Sequence, residues 1–193
     1  MKSRICGILA VTMLAAIIAA AQADWATVTR GAEYAFARGQ MSRAETGFKT
    51  ALEIAQSFPP GDRRLETSLE NLGRFYEHQS AFAKAQPLYL LLLAAQEYRV
   101  GVESPVLLPT LFMIARVSQP LGDLPTVKKS LTRYDAIAEE SGDADPAQWW
   151  QVLAMLARTA IIQENEPAAL AWQRRAVDVL EEVAVHEVVG AAA

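Results

Sequence analysis

Four small residues, Ala32, Gly73, Ala115 and Ala157, recur at steps of 41, 42 and 42, each inside the same apolar pattern. The openings align as Val28-x-x-Gly31-Ala32, Leu69-x-x-Leu72-Gly73, Leu111-x-x-Ile114-Ala115 and Leu153-x-x-Leu156-Ala157. Twelve residues past each small residue come Ala44, Ala85, Val127 and Ala169. Four further on are Phe48, Tyr89, Leu131 and Gln173, and three beyond those Ala51, Leu92, Tyr134 and Ala176. A fixed period of this length marks an array of stacked supersecondary units. The spacing within each unit is helical and no stretch alternates with period two, so helices are expected and strands are not.

Gly and Pro punctuate the array where a repeat should end. Phe58-Pro59-Pro60-Gly61-Asp62 is one break, Gly101 to Pro109 a second, and Ser141 to Pro146 a third. Each interval between breaks is long enough for two helices. Asp145-Pro146 reads as an N-cap followed by a first-turn proline. Pro125 and Pro167 fall at the start of second helices, where the missing N–H costs nothing. Pro120 should end the first helix of the third repeat early. The expected repeats are about 25–61, 62–104, 105–145 and 146–186, within a domain at 24–189 and before a short tail at 190–193.

The pattern resembles the tetratricopeptide repeat (TPR), with its Leu-Gly/Ala, Tyr, Ala, aromatic and Ala signature positions. Leu72-Gly73-Arg74-Phe75-Tyr76, followed by Ala85 and Tyr89, carries the likeness best. The unit is longer than the usual tetratricopeptide one and is similar to the extended, kinesin-light-chain type of repeat. The sequence departs from the pattern at Gly31, Val127 and Gln173. The resemblance implies an all-α, right-handed solenoid of about four helix-turn-helix repeats, with the first helices lining a concave face that binds protein. Its physical basis is that no helical pair can bury its own apolar face, so stacked neighbours bury it instead.

The first 23 residues belong to a different pattern. Lys2 and Arg4 precede an apolar run from Ile5 to Ala21, which ends in Ala21-Gln22-Ala23. A basic segment, an apolar segment and a small-x-small site in that order describe a secretory signal peptide. Cleavage after Ala23 is expected, placing the chain in a periplasm or outside the cell with no stable membrane span; the alternative is an anchor left uncleaved. The lone cysteine, Cys6, would leave with the leader, which suits an oxidising compartment. The formal charge of -4 would become -6, because the leader holds two basic residues and no acidic one. An acidic chain with no basic run gives no reason to expect nucleic acid.

Chemistry is hard to place on these residues. His78 and His186 are far apart, and neither belongs to a helical zinc pair. Gly-x-Ser-x-Gly, phosphate-cradling and dinucleotide patterns are missing from the sequence. Asp143 and Asp145 do not have the spacing of a calcium loop and read as a turn and a cap. No catalytic residue, cofactor or metal is expected, and an enzyme is disfavoured.

A binding surface is easier to find. The residue after each small one reads Glu33, Arg74, Arg116 and Arg158. Helices packed about 8–10 Å apart would set three guanidinium groups in a row that matches acidic groups on an extended peptide. Glu70, four residues before Arg74, is placed to neutralise it. Repeats three and four carry Phe112 and Ala154 there, with Met113 and Met155 alongside and Ile161 and Ile162 a turn on. Some of these apolar side chains must be core. The expected groove therefore comprises Arg74, Arg116, Arg158, Asn71, Phe112 and Met155, and its partner is a protein or peptide segment with acidic and apolar residues. A second candidate is the C-terminal end, where Val177, Leu180, Val183 and Val188 lie on a last helix with nothing after it to cover them. That end would join a second copy or a cell-envelope assembly. Trp25, Trp149, Trp150 and Trp172 fit either core or interface.

Overall fold

The computed structural model of the chain describes residues 24–190, with side chains through Glu181. The leader at 1–23 and the last three residues lie outside the described residues, as do the side chains of Val183, His186 and Val188. The described chain is helical throughout: α1 (24–37), α2 (Met41–Ala55), α3 (Arg63–His78), α4 (Phe82–Val100), α5 (Leu108–Ser118), α6 (Leu124–Ser141), α7 (Pro146–Ile162) and α8 (Glu166–Gly190). A single 3-10 turn, Pro105–Leu107, leads into α5. There are no strands among the described residues.

The aligned positions are where the burial is. Ala32, Gly73, Ala115 and Ala157 are buried, as are Ala44, Ala85, Val127 and Ala169 on the second helices. Phe48, Tyr89 and Leu131 are buried at the aromatic position, while Gln173, the departure noted above, is exposed. Burying a large apolar side chain contributes about 1.5–3 kcal/mol, so these positions carry much of the apolar stabilisation within each unit. The stops also follow the sequence. Asp145 caps α7 by accepting from the Gln148 N–H, and Pro146 is its first residue. Pro125 stands in the first turn of α6, and α5 ends at Ser118, before Pro120 can clash with the preceding turn.

Between the two helices of every pair the chain turns through one left-handed residue. Gly39, Ser80, Gly122 and Glu164 have φ of 71°, 56°, 70° and 56°. Each lies seven residues after the small residue of its repeat. The next residue, the N-cap of the second helix, is Gln40, Ala81, Asp123 or Asn165. Asp123 accepts from the Thr126 N–H and Asn165 from the Ala168 N–H, whereas Gln40 and Ala81 make no side-chain cap.

The chain divides into two compact units, one ending at Gln79 and the other beginning at Ser80. In the first, Phe36, Phe48 and Phe75 meet edge-on or tilted, with ring centroids 5.8–6.4 Å apart. Gly47 of α2 packs on Ala32 of α1 so closely that a Cβ at Gly47 would fall 2.7 Å from the Ala32 Cβ. The Trp25 indole donates to Ser68 Oγ at 2.8 Å, joining α1 to α3. In the first turn of α3, Arg64 lies 3.7 Å above the Phe58 ring and pairs with the N-cap Asp62, whose carboxyl it holds below the ordinary range.

In the second unit, α4 to α8 pack in succession around a core that includes Leu107, Leu111, Leu131, Leu153 and Val179. Polar ties cross it. Gln86 on α4 donates to Ser118 Oγ at 2.9 Å and Asp123 Oδ2 at 2.8 Å. Arg133 on α6 pairs with Glu97 on α4 and donates to the Val102 carbonyl. Tyr134 is buried on α6 and donates to Gln148 Oε1 at 3.0 Å; burial, and then the Asp145 charge, push its phenol up to about 12.

Candidate functional site

The outward faces of the first helices differ sharply between the units. On α3 the face is polar and satisfied from within. Arg74 is exposed and lies 3.5 Å from Glu70, the i,i+4 pairing read from the sequence. Asn71 donates to Glu33 Oε1 on α1 at 3.4 Å. His78 presents its ring to Phe36, with centroids 5.0 Å apart. These side chains hold one another, and an i,i+4 ion pair at the surface stabilises by only about 0.3–0.5 kcal/mol.

On α5 and α7 the same face is mostly apolar. Arg116 and Arg158 are both exposed. Phe112 and Met155 are half-buried and pack on the core of the second unit while keeping an outer edge. Met113 and Ala154 are also half-buried. Ile161 and Ile162, three and four residues past Arg158, remain 57% and 53% exposed at the end of α7. Helical spacing puts both on the Arg158 side of the helix. Of the apolar residues that core and surface had to share, the isoleucine pair lies at the surface.

This face combines two cationic groups with partly exposed apolar side chains. Guanidinium groups present a planar fork of donors that fits carboxylates, and neighbouring aliphatic side chains add apolar area. Among the described residues no three His, Cys, Asp or Glu side chains gather as a metal ligand set. No described helix is long and apolar enough to cross a membrane.

The C-terminal candidate is half visible. On α8, Val177 and Leu180 are exposed, and so is Leu170, but Gln173, Arg174, Asp178 and Glu181 are interleaved with them. Trp172 and Trp149 are half-buried against the core, and Trp150 is exposed.

A tie that the sequence did not reveal holds the end of this unit. Arg175 on α8 reaches two carboxylates of α6, with Nε 2.9 Å from Asp135 Oδ1 and Nη2 2.8 Å from Glu139 Oε2. The Trp149 indole on α7 donates to the same Asp135 oxygen at 2.8 Å. The hydrogen bond from Arg175, and then its charge, lower the Glu139 carboxyl below its ordinary range. Partners nearly a whole repeat apart carry no local spacing signal.

Comparison with known proteins bears on the fold. No family model matches the chain, and no curated protein matches it. Among solved structures it is similar to BtubC (BKLC) from P. vanneervenii, at a TM-score of 0.70 and 19% identity over 82% of this chain. It spans 64% of that protein's length. It is also similar to a putative kinesin light chain from Podosopora anserina with nearly identical TPR-like repeats. That match has a TM-score of 0.58 and 20% identity, covering 84% of this chain and 74% of the other. A point variant of the same protein matches at 0.60 and 19% over the same shares. The fold is therefore all-α and of the TPR-like solenoid class.

Proposed function

We propose that the chain is an exported protein-interaction scaffold that holds a segment of another protein against the α5 and α7 faces and performs no catalytic step. The TPR-like fold supports the general reading. The observation that carries the specific one is the face itself: exposed Arg116 and Arg158 stand beside partly exposed Phe112 and Met155 and the exposed pair Ile161 and Ile162. A segment with carboxylates spaced among apolar residues satisfies both components. On the α3 face Arg74 pairs with Glu70 and Asn71 donates to Glu33. Export rests on the order of features in residues 1–23.

The test is a peptide selection on the purified protein, followed by titration of the selected peptides against an Arg116→Glu, Arg158→Glu double variant. Hydrogen bonds to charged groups contribute about 1.5–3 kcal/mol, so affinity should fall at least about tenfold. Equal affinity in the two proteins would refute the assignment of this face.

A second reading is favoured by Val177 and Leu180, which are exposed on α8. In it the chain is a subunit of a larger assembly and joins it end-on. Val177→Lys and Leu180→Lys together should then abolish assembly while leaving peptide affinity unchanged.

A further inference from the structure

The second helix of each pair turns one face outward, and on α4 that face carries an uncharged stripe. Ala83, Pro87, Leu90, Leu91, Ala94 and Tyr98 are all exposed, with Leu91 at 56% and Tyr98 at 72%. Their spacing of 4, 3, 1, 3 and 4 is that of one continuous helical stripe. The positions one repeat earlier are Ser42, Thr46, Lys49, Thr50 and Glu53 on α2 and Ser57 just after it; one repeat later on α6 they are Pro125, Lys129, Thr132, Arg133, Ala136 and Glu140. Leu90 thus stands where its neighbours carry Lys49 and Thr132, and Tyr98 where they carry Ser57 and Glu140. The repeat itself does not ask for apolar residues there. A helix that is apolar on opposite faces is ordinarily enclosed on both, and α4 is enclosed on only one.

The stripe is complementary to itself. About its midpoint, between Leu90 and Leu91, the smallest residue Ala83 mirrors the largest, Tyr98; Pro87 mirrors Ala94, and Leu90 mirrors Leu91. Two copies laid antiparallel about a two-fold axis at that midpoint therefore meet large against small at the ends and leucine against leucine at the centre. A surface with no charged group to specify a foreign partner, but with its own mirror complement, matches an isologous interface.

We propose that the chain forms a two-fold dimer through an antiparallel pairing of α4 with α4 of a second copy. This surface is separate from the α5 and α7 face and from the α8 end, so it leaves both free.

Sedimentation velocity on the full chain should show a concentration-dependent rise to twice the single-chain mass. Leu90→Glu with Leu91→Glu should abolish that rise, with helical circular dichroism unchanged because both side chains are exposed. Disulfide trapping in a Cys6→Ala background fixes the geometry. Leu91→Cys should cross-link to itself. Tyr98→Cys should not, since its two copies would lie about 22 Å apart at 1.5 Å per residue, but it should cross-link to an Ala83→Cys chain mixed with it. A monomer at all concentrations, a dimer that survives the double glutamate variant, or self-linking of Tyr98→Cys would each overturn the proposal. So would a monomer that binds neutral phosphatidylcholine vesicles through the same leucines.

Discussion

Arg175 Nε lies 2.9 Å from Asp135 Oδ1, binding the last helix to the second helix of the preceding pair. Asp135 is buried and also accepts from the Trp149 indole, so three helices meet on one carboxylate. Removing it takes the acceptor from the Arg175 Nε–H and the Trp149 indole N–H, leaving Arg175 only its exposed Glu139 partner. Breaking a buried pair from one side costs about 3–5 kcal/mol, and the partial exposure of Arg175 puts the expectation at the lower end. Asp135→Ala should therefore lower unfolding stability by about 3 kcal/mol in urea melts. Glu139→Ala, which removes the exposed arm of the same arginine, should cost less than about 1 kcal/mol.

Gly47 and Gly31 give opposite expectations for the same substitution. An alanine at Gly47 would set its Cβ 2.7 Å from the Ala32 Cβ and 3.2 Å from its Cα, and backbone cannot swing aside. Overpacking of this kind costs about 1–3 kcal/mol, which outweighs the roughly 1 kcal/mol of helix propensity gained. At Gly31 a Cβ meets nothing within 4 Å. Gly47→Ala should destabilise and Gly31→Ala should stabilise by up to about 1 kcal/mol, both read from denaturant midpoints.

Glu164 and Ser80 occupy left-handed turns that Gly39 and Gly122 occupy without a Cβ. The left-handed conformation costs an L-residue about 1–2 kcal/mol, offset in part by the freedom glycine retains when unfolded. Glu164→Gly should raise stability by about 0.5–1 kcal/mol. Ala81→Asp, which supplies the cap that Asp123 gives α6, should add about 1 kcal/mol.

Tyr134 sets an alkaline limit. Its phenol is raised to about 12 in the fold, against an ordinary value near 10 when unfolded. A raised group of this kind contributes its full stability below pH 10. Above that the unfolded chain gives up the proton first, so the contribution fades as pH climbs toward 12. Unfolding free energy measured from pH 9 to 12 should fall less steeply in Tyr134→Phe than in the unaltered chain. Difference absorbance of the two proteins should place this phenol's ionisation well above the ordinary tyrosine value.

The long period was legible because small and large core residues must recur where helices meet, and there the structure follows the sequence position by position. The Glu70–Arg74 pair was legible for a simpler reason, being local to one helix. Other features had no such signal. Two of the four left-handed turns inside the pairs use Ser80 and Glu164, which are not residues that announce a turn. The stripe on α4 was hidden by its own composition: in Leu88-Tyr89-Leu90-Leu91-Leu92-Leu93 every residue is apolar, so no period separates the buried Tyr89 and Leu92 from the exposed Leu90 and Leu91. Asn71 was read as available to a ligand because Glu33, on a different helix, gave no hint that it would accept from it.

The scaffold reading is tested most directly by placing a photo-crosslinking residue at Ile161, on the face beside Arg158, and a control at Lys128, exposed on α6. Both proteins would be expressed in the native cells, irradiated, and the cross-linked products resolved by mass. The account predicts one discrete protein adduct from the Ile161 position, lost when Arg116 and Arg158 are changed to glutamate, and none from Lys128. Adducts of equal yield at both positions, or an Ile161 adduct indifferent to the two arginines, would contradict it.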